Sequence, residues 1–378
     1  MSALKIRKNI VKNVKRIVIK IGSGVLTTDK GKIDETIIKK IVLQTSMLVK
    51  KGCEVLIVSS GAIAAGKTEL NIKKVLTDIP SKQAAAAVGQ SRLIGFYEKY
   101  FKKEKQKTAQ VLLTHDDLSN RCRYLNARNA LMTLLSFHVI PVINENDMVA
   151  VQEIKFGDND TLSALVAHLV DADLLVILSH VDGLFTGDPA KDKKATLIPF
   201  VEKITPDLQK IAGKSSSPGS VGGMLTKLKA AKIAADSGIG TIIVNGIIND
   251  IITRVFKGEN IGTLFLASQD KLTRRKHWIV HTLKIKGKLI LDDGAKKAIV
   301  KRGKSLLPSG IYGVIGNFDS GDSVSCMDSK ENEFCRGLVN YNSGDLKKIM
   351  GKHTSKIEKL LGFKVYDEVI HRDNLVIL

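Results

Sequence analysis

The chain has 378 residues, 44% of them hydrophobic, with 59 Lys and Arg against 38 Asp and Glu for a formal net charge of +21. That is length for about two or three domains of roughly 100–200 residues and apolar content for a real core, while no apolar run reaches the roughly 18–20 residues that span a bilayer. Four cysteines without any C-x-x-C spacing suggest neither a zinc site nor a disulfide framework and fit a reducing cytoplasm.

Met1 to Arg16 carries six basic residues and no acid. Its charges interrupt Ile10-Val11 and Val14, so it lacks the apolar segment of a secretory signal. It reads as a short basic lead-in to the first strand.

Residues 16–246 alternate short apolar runs with amphipathic or Ala-rich stretches. The strand candidates are Ile17 to Ile19, Val55 to Val58, Val139 to Ile143, Leu174 to Leu178 and Thr241 to Val244. The helical stretches are 34–50, 83–101, 161–170 and 225–237. This alternation predicts an α/β fold, a mainly parallel sheet in an αβα sandwich. Each strand ends in small or polar residues: Lys20 before Gly22-Ser23-Gly24, then Ser59-Ser60-Gly61, Asn144-Glu145-Asn146-Asp147, Ser179-His180 and Asn245-Gly246. In open α/β sheets ligands sit beyond the carboxyl ends of strands, so at least four of these ends are expected to line one cleft.

Lys20 interrupts the apolar run Ile17-Val18-Ile19-Lys20-Ile21. It competes with a reading as one more surface lysine, but the interruption of a buried strand favours a cation facing phosphate in the cleft.

Gly61-Ala62-Ile63-Ala64-Ala65-Gly66-Lys67-Thr68 matches the G-x-x-x-x-G-K-[ST] pattern of a P-loop and follows a strand. A phosphate-cradling loop needs splayed backbone amides, whereas Ala-Ile-Ala-Ala favours helix. The expectation is a helix that starts at Ser60-Gly61 with a serine cap and carries Lys67 nearly two turns away from its start.

Asp147, Asp158 and Asp160, with Asn144, Asn146 and Asn159, form two acidic clusters. Such carboxylates bind a substrate ammonium, orient lysines or hold Mg²⁺. Ordinary turn and N-cap chemistry is the alternative, since Asp160 precedes Thr161-Leu162-Ser163-Ala164, an expected helix start. His180 is assigned no catalytic role. Gly222-Gly223-Met224-Leu225-Thr226-Lys227 is a glycine turn that opens a helix and carries a lysine on its first turn. Free amides plus a lysine make an anion site, although Ser215 to Gly219 upstream is linker-like. With Phe156-Gly157-Asp158-Asn159-Asp160 it supplies the carboxylates, glycine loop and lysine that phosphoryl transfer needs.

After about residue 275 helical periodicity fades. Short β-runs appear at Gly287 to Leu291, Gly310 to Val314 and Ser323 to Met327, with turn signals at Asp293-Gly294, Pro308-Ser309-Gly310 and Ser320-Gly321-Asp322. This predicts a small β-rich barrel. The boundary is set in the basic linker Lys271 to Lys276, giving domains 1–272 and 276–378. Residues 276–378 hold 18 basic and 12 acidic side chains, and the rest of the chain holds 41 and 26. The charge is spread evenly rather than gathered on one module. That favours acidic metabolites as ligands over a nucleic-acid surface.

Together these motifs resemble the glutamate 5-kinase family, amino acid kinases with a C-terminal PUA domain. The matching pieces are Ile19-Lys20-Ile21-Gly22-Ser23, Val58 to Ile63, Asn144 to Asp147, Phe156 to Ala164, Val181-Asp182-Gly183-Leu184-Phe185 with Asp188-Pro189, and Gly222 to Lys227. Asp293-Gly294-Ala295, Gly303 to Ile311 and Gly316 to Asp322 look like a PUA domain. The resemblance implies ATP-dependent phosphorylation of the γ-carboxylate of L-glutamate, the first step toward proline. It implies that Lys20 and Lys227 stabilise the transferring phosphoryl group and that Asp160 orients them. Ser60, Asp147, Asn159 and Asn144 would hold glutamate. Lys20, Ser179, His180 and the loop Val221, Gly222, Gly223, Met224, Leu225, Thr226, Lys227 would hold ATP. It further implies Mg²⁺ with ATP, inhibition by proline, a downstream γ-glutamyl phosphate reductase and a homo-oligomer. Two departures bear on ATP binding. The family usually has Thr-Asp where this chain has Ser179-His180, and Gly-Thr-Gly-Gly-Met where it has Ser220-Val221-Gly222-Gly223-Met224. The competing expectations are a related kinase for another carboxylate, carbamate or nucleoside monophosphate, and, more weakly, an RNA-binding role for the C-terminal domain.

Overall fold

The computed structural model of the chain describes residues 3–150, 159–189, 191–213, 223–267 and 285–378. It divides into two compact units, each with its own sheet. The expected boundary, Lys271 to Lys276, lies outside the described residues.

The first unit holds β1 (Arg16–Ile21), β2 (Glu54–Ser59), β3 (Lys107–Leu113), β4 (Val139–Glu145), β5 (Leu174–Ser179), β6 (Phe200–Val201), β7 (Gly240–Asn245) and β8 (Thr263–Phe265). They form one eight-stranded sheet in the order β3-β4-β2-β1-β5-β7-β8-β6. From β3 to β7 all neighbours run parallel, and β8 turns antiparallel to β7. The expected strands are β1, β2, β4, β5 and β7. β3 escapes a hydropathy reading because it is a half-exposed edge strand with Lys107 and Gln110 on it. β6 and β8 are too short to show a period.

The register levels the carboxyl ends: Lys20 lies beside Val58 of β2 and Ile177 of β5. Backbone hydrogen bonds continue past the strands, with Gly22 N donating to Leu178 O at 3.0 Å, Ser60 N to Ile21 O at 3.1 Å and Gly246 N to Ser179 O at 2.8 Å. Ile17, Ile19, Ile21, Val55, Ile57 and Val176 belong to one core on one face, with Ile38, Ile41 and Val42 of the helix Glu35–Lys50 and Leu93, Tyr97 and Phe101 of the helix Ile79–Lys103. Side chains alternate along a strand, so Lys20 projects to the other face. The helices Asn159–Leu169 and Met224–Asp236 reach it there. The predicted helical stretches correspond to these four helices.

The basic lead-in to β1 is a helix, Ala3–Lys12. Its Arg7 is buried and donates to the carbonyls of Pro199, Glu259, Ile261 and Gly262, while Val11 joins the buried residues and Ile6 and Ile10 pack on the core. One expectation is corrected here: Ser60 caps nothing. The helix Ala62–Glu69 starts from Gly61 in the left-handed region, φ 108°, with no side-chain cap. Glycine carries that turn without the Cβ cost a serine would meet. Ala62 to Ala65 are helical as expected, and Gly66 has a packing role. A Cβ there would stand 1.7 Å from Ala85 O, and one on Gly89 would stand 1.8 Å from Ala62 O. The pattern that imitates a P-loop is thus a contact between the helices Ala62–Glu69 and Ile79–Lys103.

The second unit carries β9 (Ile285–Leu291), β10 (Ile311–Gly316), β11 (Ser323–Met327), β12 (Glu333–Leu338) and β13 (Leu375–Ile377), in the order β10-β9-β11-β12-β13. Leu289, Leu291, Ile299, Val324, Leu346 and Ile370 are among its own core residues. Asp293-Gly294, read as a turn, is instead the first turn of the helix Asp293–Arg302, whose cap Asp292 accepts from Ala295 N at 2.7 Å. That helix buries Ile299 alone among its described residues, so its sequence shows no apolar stripe.

Candidate active site

The loops after β1, β2, β4 and β5 and the starts of two helices supply the polar residues of the first unit. At the centre is Asp160, on the first turn of Asn159–Leu169, where the helix dipole favours a negative charge. Lys20 Nζ stands 2.5 Å from Asp160 Oδ1 and Lys227 Nζ 3.1 Å from Oδ2. Thr226 Oγ1 also donates to Oδ2, at 2.8 Å. Asp160, Lys20 and Lys227 are 2%, 5% and 4% exposed, so little water screens this triad. Burial alone would push the Asp160 carboxyl up. The charges of Lys20 and Lys227, with hydrogen bonds from Lys20 and Thr226, outweigh it and hold the group down at about 2. Two ammonium groups on one carboxylate leave a net positive pocket, which suits an anion with developing charge.

Lys227 sits where the sequence reading put it, on the first turn of Met224–Asp236, whose N-cap is Gly223. No described residue comes within 4 Å of where a Gly223 side chain would be. Leu225 is half exposed beside it. His180 follows β5 against the short helix Ser23–Leu26 after β1: a Cβ on Gly24 would lie 3.3 Å from its Nδ1. Partial burial, then the charges of Lys227 and Lys20, lower the His180 pKa, so the imidazole is neutral at pH 7. Ser179 is buried at the end of β5. Val221 and Gly222, and Asp158 of the acidic cluster, lie outside the described residues.

On the other side of Asp160 the polar residues form a relay. Asn159 Nδ2 donates to Ser60 Oγ at 3.0 Å and to Asn144 Oδ1 at 3.0 Å. Asn144 Nδ2 donates to Gln90 Oε1 at 2.7 Å. Asn159 Oδ1 is buried and has no partner among the described residues. Asp147 lies just beyond β4, half-buried, and burial pushes its carboxyl up to about 6. A cavity of about 270 Å³ is lined by Gln90, Gln110, Glu145, Asn146 and Asp147 among others. The structure therefore brings Ser60, Asn144, Asn159 and Gln90 into one network next to the lysine–aspartate triad, with Asp147 lining the same cavity as Gln90.

Gln90 and the Thr226–Asp160 bond were not read from the sequence. A signal for the first existed: Gln90 shares a helix face with Ala86, Leu93, Tyr97 and Phe101, and a glutamine on a buried stripe needs partners.

Among the described residues no group of three or more His, Cys, Asp and Glu side chains is placed to hold a metal ion. No helix among them is long and apolar enough to cross a membrane.

Residues 15–245 match the amino acid kinase family, and residues 287–361 match the PUA domain. The chain is similar to the glutamate 5-kinase of Thermoanaerobacter sp., 50% identical over 363 residues, 96% of this chain and 98% of that protein. It is 50% identical to the glutamate 5-kinase of Geobacter sulfurreducens over 372 residues, 98% of this chain and 100% of that one. The glutamate 5-kinase of Caldanaerobacter subterraneus is 52% identical over 363 residues, 96% of this chain and 98% of that one.

Proposed function

The chain belongs to the amino acid kinase family, in its glutamate 5-kinase branch, and on that premise we propose that it transfers the γ-phosphoryl group of ATP to the γ-carboxylate of L-glutamate. The observation that carries this reading is the buried pair Lys20 and Lys227 held on one carboxylate, Asp160, beside the Ser60–Asn159–Asn144 relay.

A carboxylate oxygen of glutamate attacks the γ-phosphorus in line, and the bond to the bridging oxygen of ADP breaks. The product is γ-glutamyl phosphate. No general base takes part, because a side-chain carboxyl with a pKa near 4.3 is already ionised at neutral pH. Catalysis then rests on placement and charge. Lys20 and Lys227 lie against the oxygens of the transferring group, and Asp160 with Thr226 fixes where the ammonium groups stand. Ser60, Asn144, Asn159 and Asp147 hold the amino acid. Ser179, His180 and the segment Val221 to Lys227 hold the nucleotide, with neutral His180 adding no charge at pH 7.

Mg²⁺ neutralises phosphate charge when bound. Among the described residues Asp160 is committed to the lysines, and the metal would enter with the nucleotide. The reaction opens proline synthesis, with proline as inhibitor and a reductase consuming the labile acyl phosphate. The kinase domain is taken as residues 1–272 and the PUA-like domain as 276–378.

The test is acyl-phosphate formation by the purified chain with Mg-ATP and L-glutamate, trapped as the hydroxamate, with and without proline. Glutamate-dependent hydroxamate that proline suppresses is the expected outcome. Product that proline leaves untouched removes the regulation from this reading. No product with glutamate, in a protein that still binds ATP, removes the substrate assignment.

A further inference from the structure

Asparagine and glutamine amides face both ways, so a site built from them recognises charge only if something fixes which end points at the ligand. In this chain the direction is set by a run of donors. Asn159 uses Nδ2 twice, toward Ser60 Oγ and Asn144 Oδ1. Asn144 can offer Oδ1 to Asn159 only while its own Nδ2 points the other way, and there it donates to Gln90 Oε1 at 2.7 Å. The relay ends with Asn159 Oδ1 as a buried acceptor with no partner among the described residues. Asn144, Asn159 and Gln90 are 2%, 8% and 9% exposed. An amide turned the wrong way there would set two donors or two acceptors face to face with little water to relieve them.

We infer that Gln90 is a positioning residue for the amino-acid substrate: its Oε1 fixes the Asn144 amide, and through it turns Asn159 Oδ1 toward a positively charged group. The chemistry that fits a buried carbonyl oxygen left open as an acceptor is a hydrogen-bond donor, and the half-buried Asp147, in the cavity that Gln90 lines, makes a primary ammonium the donor that suits. The relay therefore selects an α-amino acid over a dicarboxylic acid of the same length that lacks the amine. Gln90 acts from the helix Ile79–Lys103 through Asn144, without reaching the reacting phosphorus. Asp147 supplies charge on the same side, since it and Gln90 line one cavity. This inference rests on the glutamate reading above and adds the determinant of that substrate's amine.

The test compares wild type, Gln90→Glu and Gln90→Met in hydroxamate formation from L-glutamate and from glutarate. Glu keeps an acceptor where Asn144 Nδ2 needs one, and Met keeps the shape without it. Gln90→Met is expected to raise the KM for L-glutamate about tenfold, as loss of one oriented polar contact does, with kcat and the KM for ATP near wild type. Its preference for L-glutamate over glutarate should shrink by a similar factor. Gln90→Glu should stay close to wild type on every count. Equal KM values for glutamate in Gln90→Met and wild type overturn the inference. So does a Gln90→Glu enzyme as impaired as Gln90→Met, because that outcome makes the role one of packing. If Gln90→Met fails to fold, the Glu variant still decides: a tenfold rise in its glutamate KM overturns the inference and a wild-type value supports it. A wild type that makes no hydroxamate from glutamate at all overturns the substrate reading first, and this inference with it.

Discussion

Lys20 and Lys227 come from positions far apart in the chain and meet on one carboxylate. Replacing either with Ala is expected to lower kcat by roughly a thousandfold, the scale of losing a preorganised charge at a phosphoryl group, with the far-UV circular dichroism spectrum unchanged. Lys67→Ala is the control. Its side chain leaves the helix Ala62–Glu69 rather than a phosphate loop, and turnover should stay within about twofold in the same assay. Asp147 carries a second expectation. Burial lifts its carboxyl to about 6, above the value near 4 of an unfolded chain, so ionisation costs the folded state stability as pH rises between those two values. Asp147→Asn removes that cost and should raise the melting temperature at pH 7. The same charge serves the substrate ammonium. The KM for glutamate at saturating ATP should therefore climb as pH falls through about 6, and the Asn variant should show a high KM without that inflection. An inflection that persists in Asp147→Asn would place the titrating group elsewhere. Much of this site was legible because its residues break local rules. A lysine inside an apolar strand and an acidic cluster at a helix start are conspicuous in one dimension. Gln90 shows only as a polar residue on an apolar helix face, since its partner Asn144 lies 54 positions away and only the fold joins them.

At the scale of elements, the crossing of the helices Ala62–Glu69 and Ile79–Lys103 separates two explanations of the same glycine. In a phosphate loop, Gly66 would be needed for backbone shape and ligand contact. Here the backbones meet, with a Gly66 Cβ 1.7 Å from Ala85 O. Gly66→Ala would force the helices apart and is expected to cost about 3 kcal/mol or more, read as a lower denaturation midpoint in urea. The KM for ATP of whatever fraction stays folded should be unchanged. A variant of wild-type stability with a raised KM for ATP would restore the phosphate-loop reading. The elements that the sequence hid share a cause. β3 is an edge strand without alternation, Asp293–Arg302 is a surface helix with a single buried residue among those described, and Ala3–Lys12 is a basic segment. Arg7 looks like surface charge until the carbonyls of Pro199, Glu259, Ile261 and Gly262 gather around it. Such elements are fixed by tertiary partners more than by their own periodicity, whereas β1, β2, β5 and β7 are buried along almost their whole length and read as apolar runs.

At the scale of the molecule, the described residues assigned to substrate, nucleotide and phosphoryl group all belong to the sheet of the first unit and the helices on it. The second unit has a separate sheet and a core of its own, including Leu289, Val324, Cys326, Cys335 and Ile370. Two cores permit independent folding. A chain ending at residue 272 is therefore expected to fold and to form hydroxamate from glutamate with a kcat within about an order of magnitude of the full chain, since no described group of the proposed machinery is removed. The net charge of +21 adds a second use of the same truncation. If that charge served nucleic acid through the C-terminal unit, RNA affinity would fall steeply with salt, and residues 276–378 would carry it. Acidic and basic side chains are interspersed in that segment, and Phe318 and Tyr341 are buried in its core rather than offered for stacking. The expected result is weak, salt-sensitive RNA binding that is equal for the full and shortened chains. A full chain that binds RNA tightly at physiological salt, beside a truncated one that does not, would give the second unit a role of its own. Loss of kinase activity on truncation, with the melting transition intact, would instead tie the second unit to the reaction.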